Sequence, residues 1–172
     1  VADGTYYPDE DKIAIGTDYV TDGDRNASFN IPEGVKIYGG FGGWQNGDET
    51  DINQRNIRLH KTILSGEIDQ NGNNSDNSYH VVTFANVSNT TRLDGFTIQG
   101  GNANGSGDNS TGGGIFLFSQ NWEDKCNQLI INCKIQNNNA QNGGGIGNVN
   151  STWGPINRGQ FINCLIANNT AS

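Results

Sequence analysis

The sequence predicts an all-β protein: a right-handed parallel β-helix, a single-stranded solenoid with three short sheets per coil. Three observations predict it. First, residues 129 to 141 (LIINCKIQNNNAQ) return without a gap as residues 160 to 172 (QFINCLIANNTAS), a shift of 31 residues from Cys133 to Cys164. A fixed period in this range means stacked units. Second, the apolar residues fall in columns two residues apart, the period of a strand. Third, glycine and asparagine replace one another between those columns. These are the residues that enter the left-handed backbone region most easily, so they mark bends.

A third copy lies upstream in residues 92 to 104 (RLDGFTIQGGNAN), where Phe96 takes the place of Cys133. The apolar columns are then Leu93, Ile130 and Phe161; Phe96, Cys133 and Cys164; and Ile98, Ile135 and Ile166. The bend columns are Gly95, Asn132 and Asn163; Gly100, Asn137 and Asn168; and Gly101, Asn138 and Asn169, all read as positive-φ positions. Ala103, Ala140 and Ala171 fill a tight spot after the bend. The word GGGI obeys the same shift, from Gly112 to Gly143.

The whole chain, residues 1–172, reads as one domain, with regular coils of about 31 residues over 91–172 and less regular coils over 1–90. The early candidate strands are TYY, SFNI, GVKIYGGF, TILSGEI and HVVTF. A separate small β-cap is the alternative for this half. Segments 8–26, 44–59, 69–78, 102–111 and 119–127 read as loops. No stretch carries convincing helical periodicity.

Composition narrows the function classes. Apolar residues are 33% of the chain and charged residues 16%, so a core is possible only if each apolar residue is used at a repeat position. The net charge of −8 disfavours nucleic acid and anionic membranes as partners. No apolar run approaches the roughly 18 residues that span a bilayer. The chain contains no methionine, which is the basis for expecting a processed protein or a piece of a longer one.

The pattern IxNNxAxxGGGI over residues 135 to 146 resembles the repeat of polymorphic outer-membrane proteins of the chlamydial type. Those pair FxxN with GGA and an aliphatic residue; here Ile stands for Phe and a third Gly for Ala. The words VADGTYYP, GVKIYGGFGG, TILSGEI, DNSYHVV and LDGFTIQGG resemble secreted β-helix proteins of Bacteroidetes-like bacteria. The resemblance implies a pectate-lyase-like architecture, truncation at both ends, and a secreted or cell-surface location in a Gram-negative-like bacterium. Members include adhesins, and some β-helix relatives cut polysaccharides.

Several residues have side chains that can carry chemistry. Trp122 and Trp153 share one loop position 31 residues apart and are the candidate binding pair, a flat platform for sugar rings. Packing of their own loop onto the flank is the alternative. Asp69, Asn71, Asn73 and Asp76 alternate oxygen side chains in a loop and are weak Ca²⁺ candidates, lacking the bidentate Glu of an EF-hand. Asp18, Asp22 and Asp24 form a similar acidic loop. Cys133 and Cys164 read as an in-register pair of buried thiols, because side chains pointing the same way fit disulfide geometry poorly. Cys126 reads as an odd thiol in a loop. His60 and His80 read as isolated strand-flanking residues.

No column stacks paired carboxylates, which a glycosidase needs about 5–10 Å apart, so no catalytic residue is named. Asp48, Glu49, Asp51 and Glu67 are the early carboxylates from which a site would have to converge. The resulting expectation is a non-enzymatic extracellular protein for adhesion or display of binding loops. Glycans or host-surface molecules are the expected partners, and no cofactor is required. The alternatives are a polysaccharide lyase or hydrolase, a carbohydrate-binding module of a larger enzyme, and a filament subunit that associates end to end.

Overall fold

The computed structural model describes residues 1–8, 10–15, 18–21, 23–44, 51–119, 126–150 and 157–172, with side chains described outside 10–15 and 18–21. The strands are short. The first nine are β1 (Gly4–Tyr6), β2 (Glu10–Ile15), β3 (Asp18–Thr21), β4 (Phe29–Asn30), β5 (Lys36–Tyr38), β6 (Thr62–Ser65), β7 (Val82–Ala85), β8 (Arg92–Asp94) and β9 (Phe96–Gln99). They continue as β10 (Asn102–Ala103), β11 (Ile115–Ser119), β12 (Leu129–Ile131), β13 (Lys134–Gln136), β14 (Asn139–Ala140), β15 (Ile146–Asn150), β16 (Gln160–Ile162), β17 (Leu165–Ala167) and β18 (Thr170–Ala171). Helical structure among the described residues takes the form of short 3-10 turns, among them Ile52–Gln54, Asn74–Asp76 and Gly107–Ser110. None is long and apolar enough to cross a membrane.

The strands are distributed over four parallel sheets. Sheet I runs β1-β6-β9-β13-β17, sheet II β15-β11-β7-β4, sheet III β16-β12-β8-β5 and sheet IV β10-β14-β18. This corrects the expected fold class. The described residues do not form a single-stranded β-helix with three sheets; they form four separate parallel sheets of three to five strands, together with an antiparallel ribbon.

The physical reason for the fourth sheet lies after the bend. The dipeptides Asn102–Ala103, Asn139–Ala140 and Thr170–Ala171, read from sequence as bend filler, are extended and pair with one another. Their backbone groups must find partners when buried. Asn139 N–H donates to Gly101 O at 2.8 Å and Gln141 N–H to Ala103 O at 3.1 Å. The ribbon is a second departure: β2 and β3 pair antiparallel, with a bulge, inside the segment read as loop 8–26.

The apolar columns are registers in these sheets. Leu93 pairs with Ile130 and Ile130 with Phe161 in sheet III. Ile98 pairs with Ile135 and Ile135 with Ile166 in sheet I. The strands of the early half join the same sheets, with Ile37 beside Leu93 and Leu64 beside Ile98. Alternation sends Ile115 and Leu117 of β11 inward, with Phe116 and Phe118 on the other face. One contiguous core results, with Leu64, Phe84, Leu93, Ile98, Ile115 and Ile135 at its centre. Each such side chain contributes about 1.5–3 kcal/mol relative to exposure.

The bends separate sheet III from sheet I and sheet I from sheet IV. Gly95, Asn132 and Asn163 have φ of 86°, 52° and 52°; Gly100, Asn137 and Asn168 have 77°, 54° and 55°. The third bend column behaves differently. Asn138 and Asn169 are not among the positive-φ residues, and their side chains explain their identity. Asn138 Nδ2 donates to Gln136 O at 2.9 Å and Asn169 Oδ1 at 3.0 Å, and its Oδ1 accepts from Gly101 N–H at 2.9 Å. A fully buried Asn satisfied in this way costs little.

The three glycines before β11 and β15 have a packing cause. A Cβ on Gly113 would run into the carbonyl of Asn139, and one on Gly144 into the carbonyl of Thr170. Sheet IV therefore approaches the backbone of the next strand too closely for any side chain there.

Candidate functional site

The outer face of sheet II carries an aromatic strip. Phe116 and Phe118 are two residues apart on β11, so both point away from the core. Their rings stack with centroids 6.0 Å apart and planes 17° apart. His80, just before β7, lies nearly parallel on Phe116 at 4.4 Å. Its Nδ1 is within 3.0 Å of Gly112 O, which fixes the imidazole plane. Burial pushes the His80 imidazole below its usual range; the Gly112 carbonyl, the Asn109 side chain and Asp108 oppose this. Burial thus favours the neutral imidazole, which is 8% exposed against Phe116.

This strip floors an open groove of about 580 Å³ whose rim is polar: Asn26, Ser28, Asn30, Thr83, Asp108 and Asn109. Several rim groups are already held in place. Ser28 Oγ and Thr83 Oγ1 are 2.9 Å apart, and Asn109 Nδ2 donates to Asn26 Oδ1 at 3.3 Å. A flat apolar floor with a few fixed amides, hydroxyls and one carboxylate at its edge suits a ring that is apolar on its face and hydroxylated at its rim.

The sequence reading missed this groove. The alternation IFLFS of residues 115 to 119 was the available signal, since it turns two phenylalanines outward once Ile115 and Leu117 turn inward. His80 was read as an isolated strand-flanking residue, and only the fold brings it onto Phe116.

The residues singled out from sequence are placed as follows. Trp122 and Trp153 lie outside the described residues, as do Asp22, Asp48 and Glu49. In sequence the two tryptophans fall three residues beyond the ends of β11 and β15. In the 69–78 loop, Asn71 Oδ1 accepts from Asn73 N–H at 2.7 Å and Asn73 Oδ1 from Ser75 N–H at 3.1 Å. Asp76 Oδ2 accepts from Asn71 Nδ2 at 2.7 Å, so amide nitrogens rather than oxygens face this carboxylate. Asp69 is exposed. Among the described residues no group of three or more His, Cys, Asp or Glu is placed to hold a metal.

Asp51 caps the 3-10 turn at Ile52–Gln54, and Glu67 accepts from Gly72 N–H at 2.9 Å. His60 sits 3.7 Å from Asp3. The three cysteines are free, with Cys126 and Cys133 buried and Cys164 partly so. Cys126, expected as a loop thiol, packs in the core and donates to Phe84 O at 3.1 Å.

No protein-family model, curated protein or solved structure matches this chain.

Proposed function

We propose that this chain is a non-enzymatic, extracellular or surface-held bacterial adhesion protein that binds neutral glycans on the outer face of sheet II. The observation that carries the reading is the continuous strip of His80, Phe116 and Phe118 at the bottom of an open, polar-rimmed groove. Sugar rings stack their C–H faces on aromatic planes, and their hydroxyls take amide and hydroxyl partners at the rim. Trp122 and Trp153 belong to the proposal through their position in sequence, just past the strand that carries Phe118 and its neighbour β15.

The test is binding to a panel of soluble neutral polysaccharides, read by affinity electrophoresis, for the wild type and Phe118→Ala. At least tenfold weaker binding of the variant, with an unchanged melting temperature, is the expected result. Absence of binding across the panel, or binding indifferent to Phe118→Ala, overturns the reading. Release of new chain ends from any polymer during incubation shifts the assignment to a polysaccharide lyase or hydrolase.

A second reading is end-to-end self-association. It is favoured by the exposed edge strands β16 and β17, where Ile162, Leu165 and Ile166 are 47%, 54% and 51% exposed. Ile166 continues the register of Ile98 and Ile135, both fully buried. Unpaired edges of this kind recruit further strands. Sedimentation velocity decides it: concentration-dependent growth that Ile166→Lys abolishes supports association, and a concentration-independent monomer excludes it.

A further inference from the structure

A second groove, of about 400 Å³, lies on the outer face of sheet I. Its floor is the register Ile63–Thr97–Lys134 together with Gln99 and Gln136 one step along. Its wall is the segment that carries Arg58 and Lys61. Asn56 fastens this wall: its N–H donates to Gly40 O at 2.7 Å, and its side-chain oxygen accepts from the N–H groups of Arg58 and Leu59, each at 3.1 Å. Ile57 packs down onto Gly40 and Gly95, where a Cβ would collide with it. The backbone of the wall is thus held in place, and Arg58, Lys61 and Lys134 reach from fixed positions as exposed side chains.

Its charge runs against that of the molecule. The chain has 18 acidic and 10 basic residues, yet three basic side chains line this one groove and, among the described residues, no carboxylate does. None of Arg58, Lys61 and Lys134 is in an ion pair among the described residues, whereas Arg55 and Arg92 are committed to Asp94. Three exposed cations lining one groove with no carboxylate beside them among the described residues offer an anion a favourable field. Apolar residues, among them Ile57 and Ile63, also line it; its hydroxyl and amide groups include Thr97, Asn132, and Gln136, whose Nε2 is anchored on Gln99 Oε1 at 3.0 Å. Such groups suit the hydroxyls between charges on a sugar chain better than an apolar side chain.

We infer that this groove binds an acidic glycan, through carboxylate or sulfate groups on successive sugars held by Lys134 on the floor and Arg58 and Lys61 on the wall. The site is on a different sheet from the aromatic groove and does not rest on the neutral-glycan reading.

The test is isothermal titration of the full chain at low ionic strength with four probes of comparable charge. These are a hexameric uronate, a hexameric chondroitin sulfate, a poly-glutamate peptide and a single-stranded DNA oligomer. Binding of the uronate, the sulfated glycan or both is expected, weakening steeply with salt. The uronate and sulfate arms identify the anion. The exposed double substitution Lys61→Gln/Lys134→Gln weakens that binding at least tenfold with an unchanged melting temperature, and Phe118→Ala leaves it intact. Equal affinity for the peptide or DNA overturns the glycan assignment. Glycan binding indifferent to the double substitution, or no binding by either glycan, overturns the site.

Discussion

Asn163 donates its side-chain amide to Oδ1 of Asn132 at 2.6 Å, across the 31 residues of one repeat. Asn132 in turn donates to Oδ1 of Asp94 at 2.9 Å, and Arg55 grips the same oxygen at 2.7 Å. The ladder begins on a neutral amide and ends on a buried ion pair. Each asparagine in it also supplies the positive φ of its bend, so one residue serves both the turn and the stacking.

Asn132→Ala is expected to destabilise the fold by about 2.5–5 kcal/mol. Alanine in the left-handed region costs about 1–2 kcal/mol, and a hydrogen bond to a charged acceptor is worth about 1.5–3 kcal/mol. Asn132→Gly keeps the backbone and loses only the side-chain bonds, so it should be about 1 kcal/mol milder. Urea unfolding of both variants checks the ordering; equal losses would mean the bend conformation carries no cost.

Asp94 is 2% exposed and faces Arg55 and Arg92. Asp94→Ala leaves the Arg55 cation largely buried and unpaired, a change that costs about 3–5 kcal/mol. The loss should persist in 0.5 M salt, because screening acts weakly on a pair withdrawn from solvent. Loss that disappears with salt would place the pair at the surface in solution.

Burial pushes the Cys133 thiol up to about 12, with nearby Cys164 adding to this and backbone hydrogen bonds opposing it. The ordinary thiol value is 9.0, so between pH 9 and 12 the folded chain holds a proton that the unfolded chain has lost. The contribution is full below pH 9 and is lost as pH rises, at up to about 1.4 kcal/mol per pH unit. Chemical denaturation from pH 8 to 10.5 should show this slope, reduced in Cys133→Ala. In the native state at pH 8, Cys133 should also resist alkylation.

Gly113→Ala is expected to destabilise by more than about 2 kcal/mol or to prevent folding, because its Cβ would meet the Asn139 carbonyl of the adjacent strand. Gly72→Ala is the control: its Cβ would meet nothing, although its φ of 77° carries its own cost of about 1 kcal/mol. The two melting temperatures separate close approach from backbone strain.

Much of the repeat was legible because its signals are local. Ile98, Ile135 and Ile166 announce their register through spacing alone, and a Gly/Asn exchange announces a bend through backbone sterics. The GGG words were legible as a repeat but not as a cause, since the carbonyl that forbids a side chain at Gly113 belongs to Asn139, 26 residues later. The β2–β3 ribbon was missed because EDKIAI and DYVT carry no repeat and sit among acidic residues. Cys126 reads as a loop thiol in sequence because its neighbours are polar, and it is a contact across the core that buries it.

By itself the sequence determined the period, the apolar registers and the bend residues, because each depends on side-chain alternation and φ preference within a few residues. The division into four sheets was decided only in the tertiary structure, where buried backbone groups after each bend had to find partners. So were the two grooves. His80 reaches Phe116 across 36 residues, and Arg58 and Lys61 reach Lys134 across more than 70, through parallel pairing that no local preference encodes.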